Sequence, residues 1–166
     1  MRPDGPTPVA QVELPTAEDT RAWGTRLGRL LRAGDLLVLT GDLGAGKTTL
    51  TQGLGDGLGV RGPVTSPTFV IARVHPSLTG GPALVHVDAY RLGGLAELED
   101  LDLDTSLEES VTVVEWGHGL AEGLTEDRLE VVLRGEDTRT VTVLAHGPRW
   151  SGEQDRAALA SLAEVA

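Results

Sequence analysis

The chain has 166 residues, 25 of them acidic and 14 basic, for a formal net charge of −11 with histidines neutral. That length suits one domain of about 150 residues with a real core, and 40% hydrophobic with 23% charged residues marks a globular chain rather than a disordered one. The lack of cysteine excludes disulfide scaffolds, thiolate metal sites and cysteine nucleophiles, 3% aromatics argues against a stacking platform for single strands, and the acidic balance argues against phosphate-backbone binding as the chain's own main task. Residues 1–11 carry three prolines and no apolar centre, so they read as a loose tail and not as a signal peptide. No apolar run approaches the ~18 residues of a membrane span, so a cytoplasmic location is expected.

After Pro15, Thr16 and Asp19 form a capping box with Asp in place of the usual Glu. Trp23, Leu27, Leu30 and Leu31 then share one face of an amphipathic helix, with Gly34 as its expected left-handed cap. Leu36 to Thr40 is a continuous apolar run of strand length, as in a parallel strand buried on both faces. Glycines follow, and then Leu50, Leu54 and Leu58 repeat every four residues, predicting a helix. Gly53, Gly55 and Gly57 make that helix weak in isolation, so it must rely on packing.

Strands are predicted over Phe69–Val74, Ala83–Asp88 and Val111–Glu115, with a turn-rich stretch from His75 to Pro82. Residues 94–109 are leucine-spaced and acidic, which predicts one or two short helices whose acids form a solvated face. Leu129–Arg134 and Arg139–Ala145 alternate around Gly135-Glu136-Asp137, a hairpin signal. Leu159, Leu162 and Ala166 on one face predict a closing helix over 152–166. Together these elements predict an α/β fold: a three-layer P-loop NTPase-like sandwich with a mainly parallel central sheet and a C-terminal antiparallel hairpin, with residues 12–166 as a single domain.

Gly41-Asp42-Leu43-Gly44-Ala45-Gly46-Lys47-Thr48 fits G-x-x-x-x-G-K-[ST] and stands between a buried strand and a helix, where the chemistry needs it. Glycines let successive backbone N–H groups curl around phosphate oxygens. The helix adds its N-terminal dipole, Lys47 reaches the β- and γ-phosphates, and Thr48 offers a hydroxyl to Mg2+. Thirteen of the fourteen basic residues are arginine; Lys47 is the one lysine. A compact ammonium fits between phosphates where a planar guanidinium does not.

Such a site also needs a carboxylate for the metal and a group to orient the attacking water. Asp88 and Glu115 each end an apolar strand, and the carboxyl ends of parallel strands face the ligand crevice. Which acid takes which role is open from spacing alone. Thr65 and Ser66-Pro67-Thr68 make a hydroxyl-rich loop suited to closing over the γ-phosphate. His75, His86, His118 and His146 lack metal-ligand spacing, and mid-strand His86 reads as a packing residue. Trp116 either covers the nucleotide or caps the core.

With these residues assembled, the chain resembles the TsaE (YjeE) family, the ATPase of bacterial tRNA threonylcarbamoyladenosine synthesis. Gly41 to Thr49, Ser66-Pro67-Thr68-Phe69, His86-Val87-Asp88-Ala89-Tyr90-Arg91-Leu92 and Val114-Glu115-Trp116-Gly117 carry the resemblance, which spans about residues 12–145. It implies ATP with Mg2+, bound by Asp42, Leu43, Gly44, Ala45, Gly46, Lys47, Thr48 and Thr49. Thr48 and Glu115 become metal ligands, Asp88 orients the hydrolytic water, Lys47 is catalytic, and Ser66, Pro67 and Thr68 form a switch. Thr20 and His118 are expected to approach the nucleotide. Phe69 departs from the family's common tyrosine, and Gly93-Gly94-Leu95 replaces its acidic-proline segment.

The resemblance also implies a role beside a two-protein transferase of TsaB and TsaD type. That assembly places threonylcarbamoyl on the adenosine next to the anticodon, and this ATPase resets it. Little tRNA binding by the chain itself and no membrane association are expected. Weak ATPase activity alone, rising on partner contact, goes with this reading. Two alternatives are a small-molecule kinase, which the acidic stretch 94–109 suits poorly as a phosphate lid, and a nucleotide-gated assembly factor with incidental hydrolysis. With no asparagine, the guanine-reading N-K-x-D motif of GTPases cannot exist.

Overall fold

The computed structural model describes residues 8–41, 46–60, 72–88, 109–115, 127–135 and 138–163. Among them, seven strands form one sheet: β1 (Ala10–Leu14), β2 (Leu36–Gly41), β3 (Ala72–His75), β4 (Ala83–Asp88), β5 (Ser110–Glu115), β6 (Arg128–Arg134) and β7 (Arg139–His146), in the order β1-β7-β6-β2-β5-β4-β3. β6, β2, β5 and β4 run parallel. β7 and then β1 add antiparallel at one side, and β3 adds antiparallel to β4 at the other. The C-terminal hairpin of the sequence reading is therefore β6–β7, with the bounds expected for it to within a residue.

Side chains alternate across this sheet, and its central strands are buried on both faces. Leu37, Leu39, Val113, Val131 and Leu133 pack with Trp23, Leu27, Leu50 and Leu54 of the helices α1 (Ala17–Leu30) and α2 (Lys47–Leu58) in one cluster. Leu36, Val38, Val85, Val87 and Val114 are buried outside that cluster, on the other face. A continuous apolar run in β2 is what a central strand covered on both sides requires. The P-loop NTPase-like sandwich is thus the fold.

α1 begins as its sequence implies. The Asp19 N–H donates to Thr16 Oγ1 at 3.1 Å, and the Thr16 N–H donates back to Asp19 Oδ2 at 3.2 Å. It does not end at Gly34. The cap is Leu31 in extended conformation, its side chain buried, and Gly34 (φ 97°) serves the turn into β2 instead. There Asp35 accepts the Arg32 N–H at 2.7 Å, so burial of Leu31 and this local carboxylate stop the helix before the glycine.

α1 and α2 meet through glycine. A Cβ on Gly24 would lie 2.3 Å from the Leu50 carbonyl oxygen, on Gly28 2.6 Å from that of Leu54, on Gly53 2.1 Å from that of Arg21, and on Gly57 2.3 Å from that of Thr25. Two small-residue stripes at four-residue spacing therefore bring backbone against backbone. The packing that α2 needs is supplied by α1.

Three sequence expectations shift. The sequence reads as a tail through residue 11, yet Ala10 and Gln11 belong to β1, and the Val9 N–H donates to the Val143 carbonyl at 2.8 Å. Ala10, Val12 and Leu14 face inward and Gln11 and Glu13 outward, an alternation too short to read beside so many prolines. β3 extends through His75, and residues 69–71 lie outside the described part, as do 94–108. The closing helix, α3 (Glu153–Ala160), is followed by a 3-10 turn at Ser161–Ala163. Leu159 and Leu162 are buried as expected, the Trp23 Nε1–H donates to the Leu162 carbonyl at 2.8 Å, and Ala166 lies outside the described residues. Among the described residues, no helix is long and apolar enough to cross a membrane.

Candidate functional site

β2 ends at Gly41 and α2 begins after Gly46, so both ends of the glycine loop stand at the carboxyl edge of the parallel strands. Gly46 takes the left-handed conformation (φ 99°), open to glycine at little cost, and no side chain caps the helix it opens. The first N–H groups of such a helix have no partner within it and point toward the loop. Lys47 is buried, and its Nζ donates to the Gly41 carbonyl at 2.7 Å. The one ammonium of the chain thus ties the helix start to the strand end, directly across the mouth of the loop. Thr48 and Thr49 are half-buried on the same first turn.

β5 lies beside β2, with Glu115 in register with Leu39 and, on its other side, with Asp88 of β4. Glu115 is buried at 5% exposure, and its Oε2 is hydrogen-bonded to Nε2 of His86. His86 stands opposite Val113, two residues before Glu115, so the pair is a diagonal contact on the face that α2 covers. His86 is therefore more than packing: it is the partner of a strand-end carboxylate. The backbone of Asp88 ends β4 at the same edge, while its side chain lies outside the described part.

Thr20 is buried in α1 and lines a cavity of about 60 Å³ with Thr16, Ala17, Gly46, Thr49 and Arg139. A Cβ on Gly46 would stand 3.8 Å from Thr20 Cγ2 and 3.5 Å from Arg139 Nε. Thr20 is thus beside the glycine that opens α2, with its Oγ1–H donating to the Thr16 carbonyl at 3.3 Å. Arg139 escaped the sequence reading. It starts β7, and only the pairing of β6 beside β2 carries that hairpin to the loop. The expectations for Asp42, Leu43, Gly44 and Ala45, for Ser66, Pro67 and Thr68, and for His118 and Trp116 fall outside the described residues.

A second charged cluster lies at the opposite, amino end of the parallel strands. Arg149 donates from Nε to Asp35 Oδ1 at 2.9 Å and from Nη2 to Asp35 Oδ2 at 3.1 Å, and Nη1 approaches Asp155 at 3.2 Å. The guanidinium also lies 3.8 Å over the Trp150 ring. Burial works against its charge, but the bonds and charges of Asp35 and Asp155 outweigh it and hold Arg149 above the ordinary arginine range. This is a latch between the turn before β2 and the C-terminal segment. It is far from the loop along β2.

A sequence model of the family described as "TsaE: Threonylcarbamoyl adenosine biosynthesis protein TsaE" matches residues 14–141. The chain is 66% identical over 138 residues to the tRNA threonylcarbamoyladenosine biosynthesis protein TsaE of Streptomyces coelicolor, covering 79% of this chain and 93% of that one. It is 54% identical over 139 residues to the protein of that name from Mycobacterium tuberculosis (78% and 83%), and 41% identical over 136 residues to that of Bacillus subtilis (80% and 84%). Among solved structures, Bacillus subtilis YdiB superposes with a TM-score of 0.71 at 34% identity, over 91% of this chain and 93% of that one. The chain therefore belongs to the TsaE family of tRNA threonylcarbamoyladenosine biosynthesis proteins.

Proposed function

We propose that this chain binds ATP with Mg2+ at the carboxyl end of β2 and hydrolyses it. The cycle resets, in the cytoplasm, a two-protein transferase of TsaB and TsaD type that modifies the adenosine beside the tRNA anticodon. The observation that carries the reading is one juxtaposition: Lys47 bonded across the loop to Gly41, with the buried carboxylate of Glu115 on the adjoining strand. A phosphate-binding ammonium and a strand-end acid at one edge of a parallel sheet are the minimum for phosphoryl chemistry.

The residues present fit the metal. Among the described residues, no three His, Asp or Glu side chains converge as an all-protein cage would need. Mg2+ needs only one or two protein oxygens, and Glu115 with the hydroxyl of Thr48 would hold it. When bound, Mg2+ supplies neutralisation of charge on the β- and γ-oxygens. Lys47 adds a cation at the same oxygens, and the N–H groups at the start of α2 bind and orient the phosphate chain. Asp88, level with Glu115 at the end of β4, is the group for holding the attacking water in line. Thr20 and Arg139 wall the site on the α1 side.

The deciding experiment reconstitutes tRNA modification with the two partner proteins, with and without this chain. Modification that stops after few turnovers in its absence, and resumes with the chain and ATP, supports the proposal. Modification that continues over many turnovers without the chain overturns it. Phosphorylation of a small metabolite without water-dependent turnover would favour a kinase instead.

A further inference from the structure

We propose that His86 is a positioning residue for Glu115, setting how tightly the site holds a divalent cation while leaving metal-free nucleotide binding alone. The inference rests on the reading of Glu115 as a metal ligand. Two observations carry it. The first is the contact itself: His86 Nε2 meets Glu115 Oε2, with both groups buried beneath α2. A carboxylate can only accept, so the imidazole must donate from Nε2, and the bond restrains the terminal torsion of Glu115.

The second observation is what the histidine leaves unmade. His86 is fully buried, and its Nδ1 has no hydrogen-bond partner among the described residues. A buried polar atom without a partner opposes folding, so packing alone favours an apolar side chain at this mid-strand position. The neighbours on the same face, Leu84 and Val113, are apolar. What an imidazole offers here that leucine does not is the N–H aimed at Glu115. Partners that orient a ligating carboxylate commonly govern metal affinity rather than fold.

The test measures Mn2+ binding to the intact chain with ADP by electron paramagnetic resonance, and ADP affinity in EDTA, for wild type, His86→Leu and His86→Gln. Expected is a Mn2+ affinity about 10-fold or more weaker in His86→Leu, unchanged ADP affinity in EDTA, and recovery of most of the metal affinity in His86→Gln, whose amide restores a donor. Unchanged Mn2+ affinity in His86→Leu, or parallel losses of metal-free and metal-dependent binding, overturns the inference. Should both variants fail to fold, wild type decides: the His86 side-chain nitrogen resonances must shift when Mg2+ is added to the ADP complex, and no shift overturns it. If wild type itself shows no metal-dependent nucleotide binding, the functional reading fails first, which separates the two outcomes.

Discussion

Lys47 is where composition and geometry meet. Its Nζ reaches the Gly41 carbonyl at 2.7 Å from a buried stem, a space suited to a compact ammonium. A guanidinium is broader, planar and differently hydrated. Lys47→Arg is expected to lower ATP hydrolysis per folded molecule at least ~10-fold, measured by phosphate release. Arg149 is the opposite case, a stability residue remote from the chemistry. Removing its side chain leaves Asp35, only 4% exposed, without its two-pronged partner. Arg149→Ala should cost about 3 kcal/mol in urea unfolding, the usual scale for breaking a buried pair, while ATP turnover per folded molecule stays near wild type. Because the Arg149 value is raised, its contribution is complete at every pH below the ordinary arginine range and is lost only above it. Stability changes near neutral pH therefore arise from other groups.

The helix pair shows how element-level propensity is overridden. By propensity alone, Gly53→Ala favours α2 by about 1 kcal/mol. The added Cβ would stand 2.1 Å from the Arg21 carbonyl oxygen, however, so α1 and α2 must separate. A net loss of about 2 kcal/mol is expected, the scale of overpacking in a tight interface. Denaturant midpoints measure it, and a stabilised variant would refute the backbone-to-backbone packing. Since α2 presents Lys47 and Thr48, the same change should also weaken nucleotide binding. The four-residue spacing of Gly24 and Gly28, and of Gly53 and Gly57, is present in the sequence. That the two stripes face each other is not, because a stripe of small residues carries no mark of what approaches it.

At the scale of the molecule, the chain ends close the fold around the helix pair. Leu159 and Leu162 enter the same core as Trp23, and the Trp23 indole N–H bonds to the Leu162 carbonyl. Ending the chain at Ser151 should remove about 4 kcal/mol, roughly 2 kcal/mol for each buried leucine, and shift Trp23 fluorescence to the red. The net charge of −11 belongs to this scale too. An acidic chain gains nothing from the counterion release that drives nucleic-acid affinity. Adding the partner proteins should therefore raise ATP turnover, whereas tRNA alone leaves it unchanged. A rise with tRNA alone would contradict that division of labour.

Local chemistry in the sequence was sufficient for the motif-bearing elements. The capping box, the β2 run, the start of α2 at Lys47, the strand ends at Asp88 and Glu115 and the β6–β7 hairpin each depend on residues near one another along the chain, and periodicity reports such contacts directly. The strand order and the partners across it were decided by tertiary structure alone. Edge strand β1 was too short to stand out. Arg139 reaches the loop only because β6 pairs beside β2. His86 reads as a core residue until β4 and β5 align and place Glu115 diagonally across from it. Local patterns encode which side chains face inward, but a pairing between distant strands is set by how whole faces bury one another.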